Sequence, residues 1–164
     1  MSNFRSHCAQ CLLLQESVCQ RLNMQVSSPT MLPKLTAFVK HCVTNTPLHS
    51  KAEIVEGTEE LYKFLYLRAT YTTEALNCGN KIDSLLRMLL FFPQLYADVC
   101  STLGSGGIIE YDPDSGLGPY AIPRYKRTQE LIMAHFFILP SMWWPADGAL
   151  AGAGASEEEE EEEE

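Results

Sequence analysis

The sequence predicts a mainly helical fold: an irregular bundle of four to five helices, with a Gly/Pro-rich loop or small β-hairpin before the last helix and a disordered acidic C-terminal tail. Apolar residues recur at spacings of three and four in several stretches, which is the periodicity of amphipathic helices. Proline and glycine separate these stretches and predict where the helices end. The 164 residues are 46% hydrophobic and 20% charged, as in ordinary globular domains, so a wholly disordered chain is excluded.

The first two predicted helices cover residues 5–25 and 32–44. Their apolar stripes are Cys8, Cys11, Leu12, Val18, Cys19 and Leu22 in the first, and Leu35, Phe38, Val39, Cys42 and Val43 in the second. Pro33 suits the first turn of the second helix, where its missing N–H has no partner to lose. Residues 48–57 are ambiguous, because the capping-box spacing of Ser50 and Glu53 favours one or two helical turns that end at Gly57.

The next two predicted helices cover residues 59–77 and 81–103. Thr58 is a suitable N-cap for the first of them, and Gly79 is a suitable stop. The stretch 85–92 is apolar on nearly every side, which places it in the middle of a bundle. Pro93 predicts a kink or a short break, because proline cannot donate a backbone hydrogen bond to the preceding turn.

Residues 104–123 are rich in glycine and proline and predict the loop or hairpin, with a turn at 112–116. The last helix is expected over residues 124–139 and ends at Pro140. This pattern predicts a helical domain over residues 1–144. Residues 145–164, a Gly/Ala linker and a run of glutamates, are expected to be disordered because they have few side chains to bury and strong self-repulsion.

The formal net charge of −9 comes almost entirely from the tail. Without it, 13 acidic residues face 12 basic ones, so the predicted domain is nearly neutral. Scattered basic residues do not favour specific nucleic-acid binding. The tail is a polyanion that can attract a basic partner or simply keep the protein in solution. Its residues are Glu157, Glu158, Glu159, Glu160, Glu161, Glu162, Glu163 and Glu164.

The lack of a signal peptide pattern and the interpretation of the cysteines favour the cytoplasm or the nucleus. We find no signal peptide pattern, and the longest apolar stretches are shorter than the roughly 20 residues that span a bilayer. The six cysteines fall in predicted helices and are interpreted as reduced, mostly buried thiols. We expect no cofactor.

Some of these cysteines also allow an alternative hypothesis, in which the protein is a zinc-stabilised domain or a small enzyme. Cys8 and Cys11 have the two-residue spacing of a zinc knuckle, and His41 with Cys42 would complete four ligands. No second Cys-x-x-Cys is present, and adjacent residues point to different sides of a helix. The glycines around Ser105 lack the strand-to-helix context of a nucleophile elbow, so a linker is favoured there.

Aromatic and basic side chains supply the candidate partner-binding residues. Trp143 and Trp144 lie between two prolines, where they either close over the core or anchor a partner. Phe91 and Phe92 end the all-apolar stretch, whose burial can require a partner helix. Arg124, Lys126 and Arg127 form the only basic patch, at a helix start where cations oppose the dipole and favour a nearby acidic group.

The function expected from these features is that of a non-enzymatic protein–protein interaction module, an adaptor or a subunit of a larger intracellular assembly. The partner is expected to be a protein, basic or helical, and self-association is compatible with the pattern. A peripheral membrane protein is a further alternative, disfavoured because anionic lipid would repel the tail.

Overall fold

The computed structural model describes residues 31–46 and 48–149 and is helical throughout its regular elements. Five helices follow one another: α1 (Met31–Asn45), α2 (Lys51–Thr70), α3 (Gly79–Leu90), α4 (Pro93–Thr102) and α5 (Ala121–Phe136). Helix α2 lies at the centre, since it contacts each of the other four. Within the described residues no β-strand forms, so the mainly helical prediction is confirmed. The helix predicted over 5–25 and the acidic tail lie outside them.

Helix α2 differs most from its prediction. Ser50 and Glu53 form a complete capping box, in which Ser50 Oγ accepts from the Glu53 N–H at 3.2 Å and the Glu53 carboxylate accepts from the Ser50 N–H at 3.1 Å. From there the helix continues through Gly57, so the end expected at Gly57 and the N-cap expected at Thr58 are both wrong. Thr58 is buried inside the helix and donates its hydroxyl to the Ile54 carbonyl.

The break expected at Pro93 is present and divides the predicted 81–103 helix into α3 and α4. Pro93 occupies the first turn of α4, where it forfeits no helical hydrogen bond. The short connection consists of Phe91 and Phe92, whose backbone N–H groups still donate to carbonyls of the last turn of α3. One long predicted helix therefore becomes two, which contact each other and both pack on α1 and α2.

Residues 103–120 form turns and irregular chain rather than the hairpin that was one of the two expectations. The hydroxyl of Tyr96 donates to the Ile109 carbonyl, and Arg68 donates to the Glu110 carbonyl at 3.0 Å. Tyr111 donates to the carboxylate of buried Asp83 at 3.0 Å. Side chains of α2, α3 and α4 thus hold this stretch, and residues 121–122, which a hairpin would need, already belong to α5.

The chain after α5 turns back over the bundle. Phe137 adopts φ +62°, a left-handed conformation that ends α5 three residues earlier than predicted. The following residues, 139–149, form what we call the C-terminal strap. It is packed at least as far as Ala149, beyond the domain boundary expected at residue 144, and Ala149 is itself buried.

Candidate functional site

The two tryptophans of the C-terminal strap lie inside the core. Trp143 and Trp144 are each only 2% exposed. The indole N–H of Trp144 donates to the Glu60 carboxylate at 2.9 Å, and the Lys63 ammonium lies 2.6 Å from the other oxygen of that group. Buried carboxylates are stable only when they are paired and hydrogen-bonded, so these contacts explain how α2 tolerates Glu60 on its inner face. In this position neither indole is presented to a partner.

Backbone carbonyls of the strap accept hydrogen bonds from side chains and from one main-chain N–H of the bundle. The Tyr125 hydroxyl donates to the Pro145 carbonyl at 2.7 Å, and the Asn80 N–H donates to the Gly148 carbonyl at 2.9 Å. Buried Asn77 donates its amide to the carbonyls of Ala121 and Ala149 and accepts from the Gly79 N–H. Nothing in the sequence singled out Asn77, because an asparagine near a glycine is typical of an exposed turn.

The two phenylalanines at the α3–α4 connection occupy different environments. Phe91 is 77% exposed. Phe92 is half-buried, with its ring 5.7 Å from that of Phe38 in an edge-on arrangement and 5.5 Å from the His41 imidazole. Of the four aromatic residues considered as anchors, only Phe91 presents most of its side chain to solvent.

The basic patch is divided among separate contacts. Arg127 forms a bidentate pair with Glu74, at 2.9 and 3.1 Å, and this hydrogen bonding lowers the pKa of the Glu74 carboxyl. The Arg124 guanidinium lies 5.7 Å from the centre of the Tyr120 ring. Lys126 is exposed. Glu74 is thus one acidic neighbour of the kind the sequence favoured; the glutamate tail lies outside the described residues.

The proposed zinc ligands are only partly covered by the structure, since Cys8 and Cys11 lie outside the described residues. Cys42 is fully buried beside Phe38, and burial raises the pKa of its thiol to about 12, although zinc requires the thiolate. Across residues 31–46 and 48–149, no three histidine, cysteine or acidic side chains are grouped to hold a metal ion. Cys42, Cys78 and Cys100 are free, buried thiols.

The glycine-rich loop and the acidic turn are explained by local hydrogen bonds. The Ser105 hydroxyl lies 3.0 Å from the Cys100 carbonyl oxygen, which it can satisfy as a helix-end acceptor. The Asp112 carboxylate accepts from the Asp114 N–H at 3.0 Å, an arrangement typical of an Asx turn.

A groove with a mainly apolar lining lies between α1 and the first turns of α2. This α1–α2 groove has a volume of about 500 Å³. Its apolar lining consists of Leu35, Val39, Val43 and Val55. The first three recur every four residues along α1, so they form one stripe about 12 Å long at 1.5 Å per residue. Val55 completes the opposite wall and is 42% exposed.

Two lysines stand beside this apolar lining. Lys40 on α1 and Lys51 on α2 are exposed and also line the α1–α2 groove. Neither forms an ion pair with another residue that the structure describes. By contrast, Lys34 at the start of α1 is held by Asp98 of α4 at 2.7 Å, which helps fix the direction of α1. The groove therefore combines a mainly apolar lining, of which Val55 is the exposed member, with two lysines that form no ion pair in the described part of the chain.

None of the helices in the described residues combines the length and apolar composition needed to cross a membrane. In comparisons with known proteins, no family model matches this chain, and neither a curated protein nor a solved structure gives a significant match.

Proposed function

We propose that this protein is a non-enzymatic interaction module, an adaptor or a subunit of a larger assembly in the cytoplasm or nucleus, and that its α1–α2 groove binds a helix of a partner protein. The observation that carries the proposal is the groove lined by Leu35, Val39, Val43 and the exposed Val55, beside two lysines that have no ion pair within the described residues. Amphipathic helices bind such grooves through apolar residues spaced three and four apart. A stripe of about 12 Å matches roughly two turns of the bound helix.

The charges of the groove define the partner more closely. Lys40 and Lys51 are exposed and unpaired within the described chain, so a partner helix with carboxylates beside its apolar stripe is favoured over one with lysines. Complementary charge of this kind increases specificity and association rate more than it increases affinity. The buried, free thiols of Cys42, Cys78 and Cys100 fit a reducing compartment.

A pair of designed peptides tests the groove. Both are helical and share one leucine stripe, but one carries glutamates beside it and the other carries lysines. Because the glutamate tail would itself attract the lysine peptide, the chain without residues 157–164 is used, and we expect it to bind the glutamate peptide more tightly, as measured by fluorescence anisotropy. Val55→Glu should weaken that binding roughly tenfold or more, because it places a charge in the apolar wall. The matched control is Ile108→Glu, at an exposed apolar residue that is not among those lining the groove.

A double variant tests the preference of the groove for an acidic peptide. Replacing both lysines, Lys40→Glu with Lys51→Glu, should reverse the preference toward the lysine peptide while leaving the circular dichroism spectrum unchanged. Equal binding of both peptides by the chain without residues 157–164, or binding that Val55→Glu does not weaken, would show that this groove does not receive such a helix.

The glutamate tail extends the proposal to a basic surface on the partner. Eight consecutive carboxylates, residues 157–164, attract basic segments at long range, and salt screens this attraction. Deleting these residues should slow association with a lysine-rich peptide at low salt and have little effect at high salt. An association rate that is unaffected by deletion at low salt would assign the tail to solubility alone.

A further inference from the structure

We infer that a cavity beside Trp143 is a binding site for a small carboxylic acid with an apolar ring. This Trp143 cavity lies between the end of α1, the residues before α2, and one side of α3. It has a volume of about 310 Å³ and includes Leu48, Leu85, Met88 and Trp143 as its apolar lining, with His49 and Lys81 among its polar residues.

The size and lining of the cavity define the apolar part of the ligand. A cavity of roughly 150 Å³ lined by apolar side chains is sufficient to hold benzene. The Trp143 cavity is about twice that volume, so it accommodates one ring together with a short polar arm. Mixed lining, mostly apolar with a few polar groups, is typical of small-molecule sites.

Lys81 defines the charge of the polar arm. Its side chain is half-buried, yet it forms no ion pair with any residue in the described part of the chain. A partly buried ammonium is stabilised by an anionic partner. A carboxylate on the ligand supplies one.

The nearby acidic groups are already engaged. Glu53 faces His49, with its carboxylate 3.2 Å from His49 Nδ1, and also accepts from the Ser50 N–H. Asp83 on α3 is paired with Arg87 and accepts from Tyr111. These contacts leave the Lys81 ammonium as the group at the cavity that is suited to an added carboxylate.

Trp143 provides a reporter for occupancy. Its indole ring lines the cavity, and its Nε1–H has no hydrogen-bond acceptor among the described residues. The indole N–H of Trp144 is hydrogen-bonded to Glu60 and does not belong to the cavity lining. The two indole resonances in one nitrogen–proton spectrum therefore serve as signal and internal control.

Phenylacetate and its neutral analogue phenylacetamide are the probes. Titration of the full chain with phenylacetate should shift the Trp143 indole resonance and leave that of Trp144 nearly unchanged. Phenylacetamide should bind roughly tenfold more weakly or worse, since it lacks the charge that pairs with Lys81. If the acid and the amide shift the spectrum equally, or if neither does so at millimolar concentration, the inference is wrong.

The lysine itself is tested with a matched pair of variants. Lys81→Met should weaken phenylacetate binding roughly tenfold, whereas Lys126→Met, on the exposed face of α5, should leave it unchanged. Unaltered affinity in Lys81→Met would contradict the inference. The comparison of acid with amide in the wild-type chain remains decisive even where a variant folds poorly. Because the cavity lining shares no residue with the α1–α2 groove, the outcome is independent of the helix-binding proposal.

Discussion

Gly57 of α2 lies directly against the indole ring of Trp143. A Cβ atom at Gly57 would lie 2.6 Å from Cε2 and Cη2 of that ring, a separation that real Cβ atoms essentially never show. Because glycine has no side chain, it leaves room for the ring on the surface of α2 while the helix continues. The close approach explains why a residue of poor helix propensity lies inside the second of the five described helices, and it joins the C-terminal strap to the middle of α2.

The substitution Gly57→Ala should destabilise the protein although alanine favours helices. The propensity gain is about 1 kcal/mol, whereas forcing a methyl group against a packed ring typically costs about 1–3 kcal/mol or more. Urea unfolding measures the difference. In a Trp143→Ala background the same change should become neutral or stabilising. Equal destabilisation in both backgrounds would show that the cost of Gly57→Ala does not come from contact with Trp143.

Asn77 should be among the polar residues whose loss is most costly. Asn77→Ala removes its hydrogen bonds to the carbonyls of Ala121 and Ala149 and to the Gly79 N–H, all within the core. Each buried group left without a partner costs about 1–3 kcal/mol, so the free energy of unfolding should fall by at least that amount. The control Asn80→Ala removes an exposed side chain nearby and should have little effect. Similar losses for the two variants would contradict this role.

The bond between Trp144 and Glu60 should contribute more than any indole bond of Trp143. Trp144→Phe leaves the buried Glu60 carboxylate with Lys63 but without its indole donor, and bonds to charged groups are worth about 1.5–3 kcal/mol. Trp143→Phe removes an indole N–H that has no acceptor in the described residues. In a Glu60→Gln background the effect of Trp144→Phe should diminish. If Trp144→Phe destabilises the protein equally in that background, its effect comes from packing alone.

His135 should make stability depend on pH. Burial lowers the pKa of its imidazole, and its Nε2 lies 2.7 Å from the Tyr71 hydroxyl, which can donate to the neutral ring. The unfolded chain therefore takes up the proton more readily, so the free energy of unfolding falls as pH drops below the unfolded pKa of about 6.5. The slope should flatten in His135→Phe. An NMR titration that places the folded pKa at or above 6.5 would refute this.

The helices of this protein were predictable to different degrees. The α1 bounds agree with the periodicity of its apolar residues, and the break at Pro93 follows from the missing N–H of proline. Helix α2 was misjudged because Gly57 and Thr58 together favour a helix end followed by a new start. The reason for a glycine inside α2 is the indole of Trp143, which is 86 positions away in the chain and which no local pattern reveals.

The candidate sites were less predictable than the helices. The aromatic and basic residues were recognised as unusual, but their exposure depends on neighbours that only folding brings together, as the contacts of Trp144 with Glu60 and of Arg127 with Glu74 show. The α1–α2 groove was present in the sequence only as an apolar stripe on α1. The sequence would show the same stripe whether or not another part of the described chain covered it. The pattern alone therefore could not predict a groove.

By itself the sequence determined that this protein is mainly helical, where proline divides its helices, and that its negative charge is concentrated in eight terminal glutamates. These properties depend on local backbone chemistry and composition. Tertiary structure alone decided that Trp143 and Trp144 are buried, that Asn77 holds the C-terminal strap, and that Lys81 lines a cavity without an ion pair to any described residue. The physical reason is that burial and hydrogen bonding depend on residues distant in the chain, and no local spacing encodes their approach.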